Sequence, residues 1–258
     1  MAIGLDADTR ADRNDSRLPG RPDWYRVSPA GDSALLVRFA DAIAKPASAL
    51  VHEALAALDG ARPPGWLDLM PGYASLLIVY DPVQLSFDDV TATVVAIINE
   101  SVLPEAPEPP AKSAGSGRVI EIPVVYHPDV APDLTALAVE KHLTVDRLIA
   151  LHTAPLYRCQ MLGFRPGFPF LMGLDPQLAT PRLSTPRLSV PAGSVGRGGA
   201  QTGIYPSAGP GGWRIVGRTT ARLFDRARAQ SVATAGSAFL IHPGDQIRFV
   251  PSDPPAAS

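Results

Sequence analysis

The stretch Gly163-Phe-Arg-Pro-Gly-Phe-Pro-Phe170, followed by Gly196-Arg-Gly-Gly-Ala-Gln-Thr-Gly203, decides the fold of the C-terminal half of the chain. From Ala154 onward, short extended pieces alternate with glycine and proline turns every few residues, a spacing typical of a β-barrel or β-sandwich. The repeated Thr-Pro-Arg-Leu-Ser at 180–184 and 185–189 places prolines where backbone donors would be needed. It predicts an edge strand or a loop along the barrel rim.

The same region has a biased charge. Residues 152–219 contain seven arginines, no lysine and a single acid, Asp175, inside a chain of formal net charge −2. Arginine offers a planar fork of donors to carboxylates and phosphates, and glycine lets backbone amides approach an anion closely. The segment therefore predicts a site for an anionic group. The competing interpretation is that the arginines lie on strand faces and the glycines mark turns.

Composition indicates a globular chain of 258 residues, 46% hydrophobic and 19% charged, long enough for one large or two small domains. No apolar run approaches the ~20 residues of a membrane helix, and the N-terminus lacks the apolar core of a signal peptide. Cys159 is the only cysteine, which excludes an intrachain disulfide and a cysteine metal cluster. These features predict a cytoplasmic protein without a membrane or nucleic-acid partner.

A proline-rich linker separates two predicted folded regions. Residues 104–117 carry four prolines and then Lys-Ser-Ala-Gly-Ser-Gly, whereas the first residues alternate aspartate and arginine with almost no apolar side chain. The predicted organisation is a disordered tail over 1–22, a small α+β domain over 23–103, the linker over 104–117, a barrel domain over 118–251 and a second disordered tail over 252–258.

The N-terminal region predicts a small sandwich. Residues 33–39 and 74–80 are apolar runs of strand length, and residues 46–58 have apolar side chains at helical spacing. Ser86 precedes a second amphipathic helix. The order strand–helix–strand–strand–helix is typical of a ferredoxin-like domain. After the linker, the patterns predict a strand over 118–126 and helices over 132–142 and 144–152.

Several residue patterns leave two interpretations open. His152 ends a predicted helix close to Tyr157 and Arg158, so it is a candidate general base or orienting group, or else a helix-terminal histidine near free carbonyls. The phenylalanines of 163–170 would wall an apolar pocket or fill the barrel core. The glycines of 196–203 would cradle an oxyanion or form a turn. No metal site is predicted, because the other histidines lack ligand spacing.

A long, ordered set of motifs resembles one family closely. The motifs are His152-Thr-Ala-Pro-Leu-Tyr-Arg, Gly163-Phe-Arg-Pro-Gly-Phe-Pro-Phe-Leu, Gly173-Leu-Asp-Pro, Thr185-Pro-Arg, Val190-Pro-Ala-Gly-Ser-Val, Gln201-Thr-Gly-Ile-Tyr-Pro and Gly211-Gly-Trp-Arg-Ile-Val-Gly-Arg-Thr. Over about residues 24–251 the chain is similar to the B-type component of bacterial ATP-dependent 5-oxoprolinase. That carboxyltransferase-domain family includes the Kip-type inhibitor of a sporulation histidine kinase and was long labelled allophanate hydrolase subunit 1.

The resemblance implies a fold, a reaction and partners. The fold would be an α+β domain followed by a mainly β, cyclophilin-like barrel. The reaction would open 5-oxo-L-proline to L-glutamate with ATP hydrolysis, ATP phosphorylating the unreactive amide oxygen before water attacks. The chain would act only with the C-like and A-like components of the 5-oxoprolinase, and the ligands of the Mg²⁺ that accompanies ATP would not all come from this chain.

The resemblance also implies roles for individual residues. The candidate catalytic residues are His152 as base or orienting group and Arg158, Arg187 and Arg218 as anion clamps. The candidate substrate- and anion-binding residues are Tyr157, Phe164, Phe168, Gly193, Ser194, Gln201, Thr202 and Tyr205. Arg197 and Ala200 depart from the family pattern, which has an apolar residue before its second glycine cluster. If this loop closes on substrate, Arg197 would shift the preferred anion; if the loop faces solvent, the departure would have no effect.

Two other functions fit the resemblance. One is a urea- or allophanate-related carboxyltransferase subunit, which requires a biotin carrier and an ATP-grasp carboxylase, and neither fits in 258 residues. The other is a regulatory inhibitor of a sensor histidine kinase, which predicts a barrel surface that docks a helical kinase domain and no effect on lactam turnover.

Overall fold

The computed structural model describes residues 24–43, 45–102, 118–231 and 235–253. The chain divides into two compact units, residues 1–114 and 115–258. The predicted tail over 1–22 and linker over 104–117 lie outside the described residues, as does most of the predicted tail over 252–258.

The N-terminal unit is an antiparallel sheet with two helices. Its sheet has the strand order β1-β2-β4-β3, and every neighbouring pair is antiparallel. The elements are β1 (Arg26–Pro29), β2 (Ala34–Arg38), α1 (Lys45–Ala61), β3 (Trp66–Pro71), β4 (Ser75–Tyr80) and α2 (Phe87–Ser101). The predicted α+β class is confirmed. Sequence analysis missed β1 and gave no bounds for β3.

Local sequence explains how this unit forms. Ser86 caps α2, since its side chain accepts a hydrogen bond from the Asp89 backbone while the Asp89 carboxylate accepts one from the Ser86 backbone. The helix then buries Val90, Val94 and Ile98, which are at most 1% exposed, in a core shared with the inner face of the sheet. The helix predicted from Ser86 onward is confirmed.

The C-terminal unit is mainly β. Its strands are β5 (Val119–Val124), β6 (Tyr157–Leu162), β7 (Pro169–Met172), β8 (Arg187–Val190), β9 (Ser194–Gly198), β10 (Gln201–Ile204), β11 (Gly209–Gly211), β12 (Arg214–Arg218) and β13 (Gln246–Pro251). Its helices are α3 (Leu134–Glu140), α4 (Val145–Thr153) and α5 (Arg226–Ala229), with 3-10 turns at Pro176–Leu178 and Ala235–Ala238. The predicted strand at 118–126 and the two predicted helices after it are confirmed.

Seven strands form a nearly closed barrel. Their order is β12-β9-β10-β7-β6-β13-β5, and among these neighbours β13 and β5 run parallel while the others are antiparallel. An isolated bridge then joins the two ends of the sheet, because Val125 and Arg218 exchange backbone hydrogen bonds of 2.8 and 3.0 Å. Strands β8 and β11 form a separate two-stranded sheet. Of the two predictions for this position, an edge strand or a loop along the rim, the structure has an edge strand, since β8 pairs only with β11 among the described strands.

The barrel wall has an apolar layer on each face. The larger core takes residues from all seven strands and from α3 and α4, whereas a smaller aromatic cluster lies on the opposite face. Adjacent residues of β12 show the division, since Val216 packs in the larger core and Ile215 in the aromatic cluster. Among the helices described here, none has both the length and the apolar character of a membrane span.

Candidate functional site

His152 lies in the barrel core and not at an open site. It is completely buried, and its ring stacks on Phe249 with centroids 4.8 Å apart. Its Nδ1 lies 2.8 Å from the Tyr126 hydroxyl and its Nε2 lies 3.2 Å from the Thr202 hydroxyl. The Tyr157 hydroxyl donates to the His152 carbonyl at 2.7 Å. Both ring nitrogens therefore have protein partners, and a ligand reaches neither without displacing one of them.

The hydrogen bonds assign the state of this imidazole. The Thr202 hydroxyl donates to the Gly196 carbonyl at 3.0 Å, so its oxygen accepts from an N–H on Nε2 of His152. Nδ1 is then free to accept from Tyr126. Burial, and secondarily the charge of Arg197, lower the pKa of His152 to about 3, which keeps it neutral. The geometry favours a structural role, in which His152 holds Tyr126 and Thr202, over the predicted role as a general base or orienting group.

Arg197 shares this buried environment. Its side chain is fully buried and donates from one terminal nitrogen to the Leu178 carbonyl at 3.2 Å, while its Nε and second terminal nitrogen have no hydrogen-bond acceptor among the described residues. Burial lowers its pKa to about 10. The glycine segment interpreted as an anion-binding loop is therefore the β9–β10 hairpin, and Arg197 neither closes over a pocket nor faces solvent.

Arg187 is held by an acid from a distant part of the chain. Its terminal nitrogen lies 2.7 Å from a carboxylate oxygen of Asp133, and the other oxygen accepts the Ile215 backbone N–H at 2.6 Å. Asp133 is 7% exposed, so this pair is screened less than a surface ion pair. The pair ties β8 to the start of α3 and to β12. This geometry favours a structural role for Arg187 over the predicted anion clamp.

An aromatic pocket of about 310 Å³ opens on the outer face of the barrel wall. We define the aromatic pocket by Phe164, Phe168, Phe170, Arg182, Tyr205 and Trp213, with residues 210–212 along one side. Phe168 meets Tyr205 and Trp213 edge to face, with centroids 5.2 and 5.5 Å apart. Gly211 lets the Tyr205 side chain lie close to the backbone of β11, because a Cβ at this position would overlap the Tyr205 hydroxyl group.

Positive charge surrounds the aromatic pocket. Burial raises the pKa of Tyr205, and a backbone N–H of Trp213 together with three guanidinium charges opposes that rise. Those charges belong to Arg182, Arg165 and Arg187. The Cζ atom of Arg182 lies 5.8 Å from the centroid of the Trp213 ring. The pocket therefore combines apolar walls with a positive electrostatic potential.

A second concave surface of about 530 Å³ lies where the barrel closes. We call it the Arg218 cleft, lined by Val125, Ala192, Gly193, Arg218, Thr219 and Arg222 with neighbouring small residues. Nε of Arg218 donates to the Ala192 carbonyl at 3.1 Å, which restricts the side chain, while its terminal nitrogens have no partner among the described residues. Within the described part of the chain, no carboxylate lines this cleft. Gly193 adopts φ +78°, and a Cβ added at this position would overlap the Thr219 carbonyl oxygen.

The predicted site residues thus fall in several places. His152, Tyr157 and Thr202 lie in the barrel core; Phe164, Phe168 and Tyr205 line the aromatic pocket; Gly193 and Arg218 line the Arg218 cleft. The remaining candidates lie on strands: half-buried Arg158 on β6 opposite Met172, buried Ser194 on β9 opposite Arg218, and Gln201 at the start of β10 opposite Gly198.

Sequence reasoning missed three residues that shape these places. Arg182 lies in the repeated Thr-Pro-Arg, whose prolines predict a position at the rim but do not distinguish this arginine from its repeat partner Arg187. Trp213 was part of a motif that carried the resemblance without receiving a role. Tyr126 ends a predicted strand, and nothing in the linear sequence connects it with His152, which is 26 residues away. In the described part of the chain, no three His, Cys, Asp or Glu side chains form a candidate metal site.

Comparisons with known proteins place the chain in a family. The family model "Carboxyltransferase domain, subdomain C and D" matches residues 25–234. A Bacillus subtilis protein, named as the B-type component of 5-oxoprolinase, is 37% identical over 230 residues, which cover 88% of this chain and 92% of that protein.

Two solved structures are similar in fold. The crystal structure of TTHA0988 superposes with a TM-score of 0.69 at 35% identity, covering 87% of this chain and 41% of that one, so this chain spans about two fifths of its length. Kluyveromyces lactis urea carboxylase gives a TM-score of 0.65 at 18% identity, covering 91% of this chain and 22% of that one, which shows a shared fold alone. The chain therefore belongs to the carboxyltransferase-domain family, subdomains C and D, as a relative of the B-type component of 5-oxoprolinase.

Proposed function

We propose that this chain is a non-autonomous subunit of an ATP-dependent 5-oxoprolinase, which opens 5-oxo-L-proline to L-glutamate. The observation that carries the proposal is the match to the B-type component of the Bacillus subtilis 5-oxoprolinase, which extends over 92% of that protein. Such relatives are named as subunits, so the active form would include C-like and A-like components as partners. The hydrolase activity would belong to the cytoplasmic hetero-oligomer and not to this chain alone.

The Arg218 cleft has the chemistry for an anion in this reaction. Arg218 lines a cleft of small and hydroxyl-bearing residues, and its terminal guanidinium nitrogens have no acceptor among the described residues. Such donors stabilise the charge of a bound or transferred phosphate. Magnesium prefers oxygen ligands, particularly carboxylates and phosphates. Because this cleft offers cations and hydroxyls, we propose that carboxylate ligands for Mg²⁺ with ATP come partly from the partner proteins.

Fold topology supports two finer assignments. In the N-terminal unit, β4 lies between β2 and β3, which α1 connects, as in the split β-α-β unit of a ferredoxin-like domain; β1 supplies the remaining edge. We assign a ferredoxin-like arrangement on that basis. The nearly closed barrel with α3 and α4 packed in its core supports a cyclophilin-like assignment for the C-terminal unit.

One other function has a specific observation in its favour. The match to a carboxyltransferase model and the fold similarity to urea carboxylase are compatible with a urea- or allophanate-related carboxyltransferase subunit. That reaction would require a biotin carrier and a carboxylase on other chains. Lactam turnover without biotin distinguishes the two functions.

We expect 5-oxoproline-dependent ATP hydrolysis and glutamate release only when this chain is mixed with its C-like and A-like partners. Arg218→Ala is expected to lower turnover at least about ten-fold, because it removes a charge-assisted donor from the cleft. The measurement is coupled phosphate release alongside glutamate quantification, after assembly has been verified by gel filtration.

The matched control is Arg147→Ala. Arg147 is an exposed arginine on α4, away from the cleft lining, so its loss changes the net charge equally without altering the Arg218 cleft. Absence of lactam-dependent turnover in an assembled wild-type complex would refute the proposed function and direct the search to urea-derived substrates or kinase regulation.

A further inference from the structure

The rim of the aromatic pocket carries an arginine, Arg182, whose guanidinium has no hydrogen-bond or ion-pair partner among the described residues. The guanidinium instead lies near the Trp213 ring. By contrast, Arg165 donates to the Ala208 carbonyl at 2.6 Å and Arg187 pairs with Asp133. Of the arginines around Tyr205, Arg182 therefore has donors available for a ligand.

The walls of the aromatic pocket are preformed. Phe168 and Tyr205 are each 2% exposed and Trp213 is 5% exposed, and their edge-to-face contacts fix the ring orientations. Phe164 is 61% exposed and forms the outer side, held edge to face against Phe168. A rigid floor with one exposed aromatic wall suits a compact, partly apolar ring.

Volume limits the ligand. Ligand pockets in proteins range from about 300 to 1,000 Å³, and the 310 Å³ of the aromatic pocket is at the lower end of that range. A single small ring with one charged substituent fits such a volume better than a nucleotide, which needs room for base, sugar and phosphates. The charge must be negative, because among the described residues the ionised groups that act on Tyr205 are three arginines, one of them already paired.

We propose that the aromatic pocket binds a small cyclic carboxylate, with the carboxylate on the guanidinium of Arg182 and the ring between Phe164 and Trp213. Arginine matches a carboxylate with two parallel donors, and its position over Trp213 restricts its orientation. This inference rests on the proposed function for the identity of the ligand as 5-oxo-L-proline. Beyond the proposed function, it identifies Arg182 as the residue that binds the carboxylate. The lactam then binds in the aromatic pocket, at a different place from the anion at Arg218.

The assignment predicts which step a mutation affects. The carboxylate of 5-oxo-L-proline is not the group that reacts, so its contact with Arg182 contributes equally to binding substrate and transition state. Arg182→Leu is therefore expected to raise KM for the lactam about ten-fold or more in the assembled complex, with kcat little changed. Arg182→Lys keeps the positive charge but loses the pair of parallel N–H donors, so we expect a KM between those of the wild type and Arg182→Leu.

Direct binding to the full chain provides the second measurement. Titration with 5-oxo-L-proline and with 2-pyrrolidinone, which has the same ring without the carboxylate, is followed by ligand-observed NMR. Wild-type chain is expected to prefer 5-oxo-L-proline about ten-fold, and Arg182→Leu is expected to abolish that preference. The control Arg147→Leu, at an exposed position on α4, should bind like the wild type.

Phe164→Gly tests the aromatic wall without threatening the fold. Phe164 has φ +63°, a conformation that glycine adopts without strain, and its side chain is largely exposed. The variant should fold normally and bind both ligands more weakly, because the shared ring loses one of its contacts.

The outcomes separate this inference from the proposed function. Lactam turnover by the wild-type complex with unchanged KM in folded Arg182→Leu and Phe164→Gly would overturn the pocket assignment and leave the proposed function intact. No turnover, combined with carboxylate binding that depends on Arg182, would refute the function and support the pocket. Absence of both turnover and binding would overturn both.

Discussion

Gly193→Ala is expected to destabilise the C-terminal unit by about 4 kcal/mol, because the added methyl group would have no space. A Cβ at this position would overlap the Thr219 carbonyl oxygen, and the backbone at φ +78° already disfavours any side chain. The obstacle is backbone, so it cannot rotate away as a flexible side chain would. The overlap is relieved only if the backbone around Gly193 moves away from the backbone around Thr219.

The segments in question are hydrogen-bonded to each other. Thr219 donates its backbone N–H to the Gly193 carbonyl at 2.9 Å, and Gly193 donates to the Tyr205 carbonyl at 2.7 Å. Moving Gly193 away from Thr219 would lengthen the first bond and strain the second. The same shift would widen the Arg218 cleft and disturb the segment that leads to Tyr205 in the aromatic pocket. Lower stability should therefore be accompanied by weaker ligand binding at both places.

Gly199→Ala is the matched control for this prediction. Gly199 also has a positive φ, +64°, but a Cβ there would meet no atom within 4 Å. Its substitution costs only the backbone strain, about 1 kcal/mol. Urea unfolding of both variants, followed by circular dichroism, measures the difference. Equal destabilisation by the two substitutions would show that the close contact with Thr219 does not determine the cost.

The free energy of unfolding is expected to fall steeply in acid because His152 is buried in its neutral form. Its pKa is lowered to about 3 in the folded chain, compared with about 6.5 in an unfolded one. Between these values the unfolded state binds a proton that the folded state excludes, so stability decreases as pH falls. The loss begins near pH 6.5, is complete near pH 3, and totals about 5 kcal/mol at most.

His152→Gln isolates this contribution. The variant has no imidazole to protonate, so its unfolding free energy should depend less on pH between about 3 and 6.5, by about one proton. His127→Gln is the control, since His127 is largely solvent-accessible and lies outside the buried hydrogen-bonded group. The measurement is the slope of the unfolding free energy against pH for each protein, which is independent of any constant cost of the substitution. An unchanged slope in His152→Gln would contradict the assignment.

Much of the fold was predictable because its signals are local. The Ser86 cap and the apolar stripe of α2 lie within one short segment, and so do the turn residues that punctuate the barrel strands. Barrel closure was not predictable in detail. It depends on a bridge between Val125 and Arg218, which are far apart in sequence and whose pairing no local pattern encodes.

The candidate site was less predictable because its residues act through distant partners. The sequence predicts Arg187 as an anion clamp, but its guanidinium pairs with Asp133, 54 residues away. His152 looked like a base beside Tyr157 and Arg158, yet its ring nitrogens meet Tyr126 and Thr202. Composition identified a region rich in arginine, but only the fold shows which arginines already have acceptors.

The bridge between Val125 and Arg218 is the seam at which the barrel closes. Two backbone hydrogen bonds hold this seam, whereas longer ladders join most neighbouring strands. The amide protons of the seam should therefore exchange with solvent earlier than those of the β9–β10 ladder. Arg218 also lines the Arg218 cleft, so an anion bound there would stabilise the closed seam. Binding of the anion is then detected as slower exchange of the seam amide protons, without any turnover.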